Sequence, residues 1–137
     1  MRPLLSLISK IYRKGNNFII EELKQNNAGE LVTSHGDILV TLYNYGKMTM
    51  KDIAQKINRT KPTVTVLVDK LEKSGYIKRE ISSKDSRYTY IVLTEKGNKF
   101  KPVFEQISKN LNEKLYKNLT KQESVILEEL LNKVIQE

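Results

Sequence analysis

The residues of this 137-residue sequence that are best suited to chemistry lie in a short polar run, SSKDSR, over residues 82–87. Asp85 precedes Arg87 by two residues, a spacing that suits an Asx-type turn and an ion pair between the two side chains. The carboxylate would then shape the loop and aim the guanidinium, and Lys84 adds a second cation. An arginine at such a tip can follow a phosphate backbone into a narrow minor groove. The alternative is a solvated loop tip with an incidental surface pair of little energetic value.

A second group of polar side chains lies on one face of a helix that is predicted to begin after Thr60, with Lys61 and Pro62 in its first turn. Val64, Leu67, Val68 and Leu71 follow the spacing of a buried helical stripe. At about 100° per residue, the opposite face points away from the core. That face carries Pro62, Thr63, Thr65, Val66, Asp69, Lys70 and Lys73. Residues near the N-terminal end of this face are candidate base readers, and Asp69 is expected to pair with a lysine.

Positive charge is concentrated around these two groups. The formal net charge is +8, and residues 47–88 hold eleven Lys/Arg against five Asp/Glu, whereas residues 120–137 are net negative. Nineteen of the 24 basic residues are lysine, so compositional bias could account for part of the excess. Their clustering nevertheless favours a nucleic-acid partner.

Several other kinds of chemistry are not expected. Without cysteine there is no disulfide, thiol switch or thiolate metal site, and the single histidine, His35, cannot supply an imidazole cluster. Asp37, Asp52 and Glu80 share no recognisable spacing with a nucleophile and a base, so neither an enzyme nor a cofactor is predicted. No apolar run approaches the length of a membrane span, which predicts a cytoplasmic protein without a membrane partner.

The elements that must position these residues are indicated by helix caps and apolar periodicity. Ser34, Thr49 and Thr120 each have an acidic residue three positions later, and Thr60 and Thr94 are further candidate N-caps. An amphipathic helix near the N-terminus has Gly15 as a weak point. The fourth helix is predicted to end at residues 74–75, and residues 77–81 and 88–93 then read as a two-stranded hairpin.

A short helix, a tight turn at residues 58–59, a second helix with a polar outer face and a hairpin are the order of a winged helix-turn-helix. Here the sequence resembles the MarR family of bacterial transcription regulators. The segments TKPTVTVLVDKLEKSGYIKR and KDSRYTYIVLTEKG carry the resemblance. The family's wing pattern, D-x-R followed by a strand and L-T-x-x-G, matches Asp85, Arg87, Leu93, Thr94 and Gly97.

The resemblance implies a mainly α fold with a small β-hairpin wing, in one domain over residues 1–137. Residues 31–98 would form the winged helix-turn-helix, flanked by dimerisation helices in residues 1–30 and 99–137. It also implies a homodimeric repressor that binds double-stranded DNA. The residues expected at the DNA are Lys61, Pro62, Thr63, Thr65, Val66, Lys70, Lys84, Asp85 and Arg87.

Two features depart from the family pattern. Val66 lies where relatives often have an arginine, so a guanine contact is in doubt; the valine could pack on a thymine methyl or make no contact. Relatives are released from DNA by small aromatic anions, cysteine oxidation or zinc, and this composition excludes oxidation and disfavours zinc. Tyr12, His35, Tyr43 and Tyr45 could line the family's ligand crevice. A core or interface role is favoured for them, so no ligand site is assigned and a small aromatic or other effector stays open.

Apolar residues in both terminal regions exceed what one small winged domain needs. These are Leu4, Leu5, Ile8, Ile11, Leu127, Leu130, Leu131, Val134 and Ile135. They predict an interface between two chains and therefore a pseudo-palindromic DNA site with half-sites about 10 bp apart. The rival interpretation is a winged helix that only contacts proteins, but such a module needs an apolar or acidic recognition face.

Overall fold

Six helices and a three-stranded sheet make up the computed structural model, which describes residues 3–137. Residues 1 and 2 of the predicted N-terminal dimerisation segment lie outside the described residues. The elements are α1 (Leu4–Gln25), α2 (Thr33–Tyr45), β1 (Met48–Thr49), α3 (Met50–Ile57), α4 (Lys61–Lys73), β2 (Ile77–Ile81), β3 (Thr89–Leu93), α5 (Glu95–Leu115) and α6 (Lys121–Ile135). The predicted class, mainly α with a β-hairpin wing, is confirmed.

The wing is an antiparallel sheet in the order β1-β3-β2. In the hairpin, Ile77 pairs with Leu93 and Ile81 with Thr89, so the loop between the strands is residues 82–88. The prediction missed β1, in which Met48 pairs with Ile91. Because Ile91 is also the partner of Arg79 in β2, β3 is the central strand and ties the hairpin back to the start of α3.

Four of the five predicted N-caps are confirmed. The hydroxyl oxygens of Thr49, Thr60, Thr94 and Thr120 each accept a hydrogen bond from the backbone N–H three residues later. The prediction for Ser34 is wrong, because α2 begins at Thr33. Val32, which has no polar side chain, is the N-cap, and the imidazole of His35 turns back so that Nδ1 accepts from the Val32 N–H at 2.8 Å.

The predicted weak point at Gly15 is also wrong, since α1 is continuous through it. Gly15 is buried where α1 crosses α5, and a Cβ there would lie 3.5 Å from Leu111 Cδ1 and 3.8 Å from Leu115 Cδ1. The missing side chain therefore lets the two helices approach closely.

The core lies under the winged domain and reaches into α1 and α5. Ile38, Ile53, Val64, Val68 and Leu71 are fully inaccessible to solvent. Three of them belong to α4, whose predicted buried stripe is thus confirmed. This burial fixes the rotation of α4 about its axis and determines which side chains it presents outward.

The start of α5 is bonded to the winged domain from several directions. Thr94 donates its N–H to the Tyr76 carbonyl oxygen at 3.0 Å and its hydroxyl to the Gly75 carbonyl. The Tyr43 hydroxyl of α2 donates to the Gly97 carbonyl oxygen at 2.7 Å. A Cβ on Gly97 would collide with the Tyr76 carbonyl, so this close approach requires glycine. The first turn of α5 and the winged domain are consequently joined as one body.

Candidate nucleic-acid interface

The turn between α3 and α4 is short and fixed by backbone geometry. Asn58 ends α3 in the left-handed conformation, with φ of 54°. The N–H of Arg59 then donates to the Ala54 carbonyl oxygen at 3.1 Å, and Thr60 caps α4. These bonds set α4 against α3 in the predicted helix-turn-helix arrangement.

The outward face of α4 agrees with the rotation predicted from its stripe, with one exception. Lys61, Pro62, Thr63, Val66 and Lys70 are exposed. Val66 is 68% exposed at the centre of this face.

Thr65 is the exception, because it is half-buried. Its hydroxyl donates to the Lys61 carbonyl oxygen at 2.9 Å, so its hydrogen is used within the helix. Of the predicted α4 site residues, Thr65 is therefore the least available for an external contact.

Asp69 faces outward as predicted, but its partner is an arginine of the wing and not a lysine. Arg79 in β2 donates from Nη2 to Asp69 Oδ1 at 2.7 Å and from Nη1 to Glu72. Hydrogen bonding to Asp69, with smaller contributions from both carboxylates, raises the pKa of Arg79. One guanidinium thus bridges two carboxylates one turn apart and fastens α4 to the hairpin.

The role of Arg79 was not predicted, although the sequence carries a signal for it. In the alternation of β2, Arg79 occupies a position shared with Ile77 and Ile81. A charge at an apolar position of an alternating strand indicates a nearby partner of opposite charge, although Ile77 alone is buried among these three positions.

The wing loop has the predicted turn at its tip. Asp85 Oδ1 accepts from the backbone N–H of Arg87 at 3.0 Å, which is an Asx-type turn. The Arg87 side chain pairs with the same carboxylate, Nη2 to Oδ2 at 2.7 Å, and this bonding lowers the pKa of Asp85. Ser82 Oγ supports the turn by accepting from the N–H groups of Lys84 and Asp85.

Arg87 remains open to solvent despite its ion pair, with 84% of its side chain exposed against 31% for Asp85. Lys84 beside it is exposed too. The loop therefore has the geometry to present two cations while Asp85 holds one of them in a defined direction.

The lysines around α4 and the wing lack carboxylate partners. Within residues 3–137, none of the eight lysines in segment 47–88 forms a salt bridge, whereas all three arginines of that segment do. Three of the five acidic residues of the segment, Asp69, Glu72 and Asp85, are engaged by arginine. The lysine charges therefore stay available to an external anion.

A separate apolar cavity of about 370 Å³ lies between α1, α2 and α5. Of the four aromatic candidates for a crevice, only His35 lines it; Tyr43 packs edge-on against Phe104, and Tyr12 and Tyr45 are more than half exposed. Burial, and then the charge of Lys70, lower the pKa of His35. The other lining residues are Ile19, Leu23, Leu31, Val32, Thr33, Gly36, Asp37, Leu39, Val40, Phe100, Phe104, Ile107, Ser108 and Leu111.

Residues 3–137 contain no group of three His, Asp or Glu side chains arranged to hold a metal ion. None of their helices combines the length and apolarity needed to cross a membrane.

Comparison with known proteins identifies relatives of this region. A family model described as the MarR family matches residues 33–89. The chain is 39% identical over 70 residues to the HTH-type transcriptional regulator YfiV of Bacillus subtilis, covering 50% of this chain and 44% of that protein. It is 30% identical over 94 residues to MhqR of the same organism, covering 69% and 63%. The chain thus spans less than two thirds of the length of these curated relatives.

Solved structures match over almost the whole chain. The S. aureus MepR–DNA complex is 26% identical with a TM-score of 0.86, and 98% of each chain is covered. A mutant of E. coli MarR complexed with operator DNA is 25% identical with a TM-score of 0.83, covering 98% of this chain and 94% of that one.

Proposed function

We propose, from the match of residues 33–89 to the MarR family model and the likeness to the S. aureus MepR–DNA complex, that this chain is a homodimeric, sequence-specific DNA-binding transcription regulator of the MarR family and of the repressor type. Its operator would be pseudo-palindromic. Helix α4 would enter the major groove, and the wing would reach the adjacent minor groove with Arg87.

The observation that carries this proposal is the division of charge in segment 47–88. Arginines pair with three of the five carboxylates of this segment, Asp69, Glu72 and Asp85, and the eight lysines form no salt bridge among the residues described. The excess of unpaired positive charge attracts a polyanion. Two structural relatives, MepR of S. aureus and MarR of E. coli, were solved with DNA, which supports the same partner here.

The proposed dimer rests on apolar surface that a single chain leaves exposed. In α1, Leu5 is 78% and Ile11 51% exposed; in α6, Val134 is 59% and Ile135 75% exposed. No residue of α6 is buried. A second copy of the chain would cover these faces, and its two-fold symmetry would set half-sites about 10 bp apart.

We also propose that a small effector releases the DNA. The apolar cavity borders both α2 of the winged domain and the long helices α1 and α5. A ligand that prefers a dimer with misplaced recognition helices would shift the population away from the DNA-bound spacing. The class of ligand remains open, with small aromatic molecules as the first to test.

Fluorescence anisotropy with labelled random duplex DNA tests the proposal first. We expect salt-sensitive binding, and selection from a random duplex pool should return a two-fold symmetric consensus. Removing a phosphate contact, as in Lys84→Ala, should lower the slope of log K against log salt by about 0.9 per contact. Absence of duplex binding at low salt would favour the alternative, a winged helix that contacts only proteins.

Sedimentation velocity tests the dimer independently. Val134→Asp places a charge on the exposed apolar face of α6, and Asn132→Asp places the same charge at an exposed polar position of the same helix. We expect the first variant to be monomeric and the second to remain dimeric. If the wild-type protein sediments as a monomer at micromolar concentration, the dimer is refuted.

A further inference from the structure

The exposed face of α4 carries an apolar side chain at its centre, where the proposed function places base contacts. Val66 is 68% exposed, and its neighbours one turn away are Pro62 and Lys70, both exposed as well. The core is already filled by Val64, Val68 and Leu71. Val66 therefore contributes little to the packing of the winged domain.

Few side chains of α4 can form two hydrogen bonds with a single base. Arginine or lysine pairs with guanine, and asparagine or glutamine with adenine, through two hydrogen bonds. Helix α4 contains no arginine, asparagine or glutamine, and its exposed lysines Lys61 and Lys70 lie on either side of Val66. The hydroxyl hydrogen of Thr65 is given to the Lys61 carbonyl. The nearest arginine of β2, Arg79, is held by Asp69 and Glu72. The middle of the face is thus left to an aliphatic contact.

The only apolar group that base pairs display in the major groove is the C5 methyl of thymine. We propose that Val66 contacts this methyl in each half-site, so that the operator contains an invariant thymine opposite the centre of α4. This inference rests on the proposed function and adds the identity of one base to it. Val66 is then a specificity-determining residue that discriminates by burial of a methyl group rather than by a hydrogen bond.

Uracil substitution tests the contact, because deoxyuridine pairs like thymidine but lacks the C5 methyl. Each thymine of the selected operator is replaced in turn, in both half-sites, and binding is measured by fluorescence anisotropy. Burying one methyl-sized group corresponds to about a fourfold change in affinity. We expect about fourfold weaker binding per half-site at one symmetric position, and about 15-fold when both half-sites are changed.

Two variants assign the effect to Val66. Val66→Ala should bind the thymine and uracil operators equally, while Val66→Ile, which keeps an aliphatic side chain, should retain the preference for thymine. Both substitutions are at an exposed position, so matching thermal unfolding midpoints would verify that the fold is unchanged.

The outcomes distinguish a failure of the thymine contact from a failure of DNA binding as a whole. If the wild-type protein selects no duplex site, the proposed function fails and the thymine contact fails with it. If a site is selected and bound but no uracil substitution weakens binding, only the thymine contact is overturned. Full sensitivity to uracil in Val66→Ala would overturn the contact in the same way.

Discussion

Replacement of Arg87 with alanine is the most direct test of the wing. The Arg87 side chain is 84% exposed and is hydrogen-bonded only to Asp85 among the residues described. No part of the core depends on it, so the thermal unfolding midpoint should stay that of the wild-type protein. Any loss of binding can then be assigned to the DNA contact.

The size of that loss follows from the number of wings. A proposed dimer has two, and each phosphate contact contributes about 0.9 to the slope of log K against log salt, so the variant should be less steep by about 1.8. The electrostatic contribution to the binding constant vanishes at 1 M salt. At about 0.15 M salt, the difference in slope therefore corresponds to roughly 30-fold weaker binding by the variant.

Fluorescence anisotropy of a labelled operator over a series of salt concentrations gives both quantities. Arg87→Lys, which keeps a charge, should retain most of the slope. Lys117→Ala, at an exposed position in the connection between α5 and α6, should leave slope and affinity unchanged. A wild-type slope in Arg87→Ala would refute the argument that this wing contacts DNA.

Three further predictions concern the fold that supports the interface. Arg79→Gln breaks two partly exposed ion pairs worth up to about 1 kcal/mol each, so denaturant unfolding should show a loss of at most about 2 kcal/mol. Combining it with Asp69→Asn should cost less than the sum of the single losses. The pKa of buried His35 lies below its ordinary 6.5, so as the pH falls His35 takes up a proton in the unfolded chain before it does so in the folded one. The free energy of unfolding should therefore decrease as the pH drops below 6.5. His35→Asn should flatten the profile of melting temperature against pH. Gly97→Ala forces a Cβ against the Tyr76 carbonyl, and calorimetry should find it destabilised by about 1–3 kcal/mol or more.

Features governed by neighbours in the sequence could be predicted well. The threonine caps of four helices, the stripe of α4 and the Asx-type turn at Asp85 each depend on residues within one helical turn or one loop. Their energetics are local, so composition and spacing suffice to identify them.

The predictions were wrong or incomplete where a hydrogen bond or strand pairing is made by a group that local spacing does not indicate. Ser34 looks like a cap, but the imidazole of His35 satisfies the first amide from inside the helix. Strand β1 has only two residues and exists because β3 lies beside it. Asp69 is bonded by Arg79, ten residues away. None of these pairings can be identified without knowing which elements are neighbours in space.

Because hydrogen bonds join the first turn of α5 to the winged domain, a rotation of this helix moves the winged domain with it. Its 21 residues correspond to an arm of about 31 Å. A rotation of about 10° around its far end would move the winged domain by about 5 Å, close to half the width of a major groove. In the proposed dimer, a modest change in the angle between the two α5 helices is enough to move one α4 helix out of alignment with its major groove while the other stays bound.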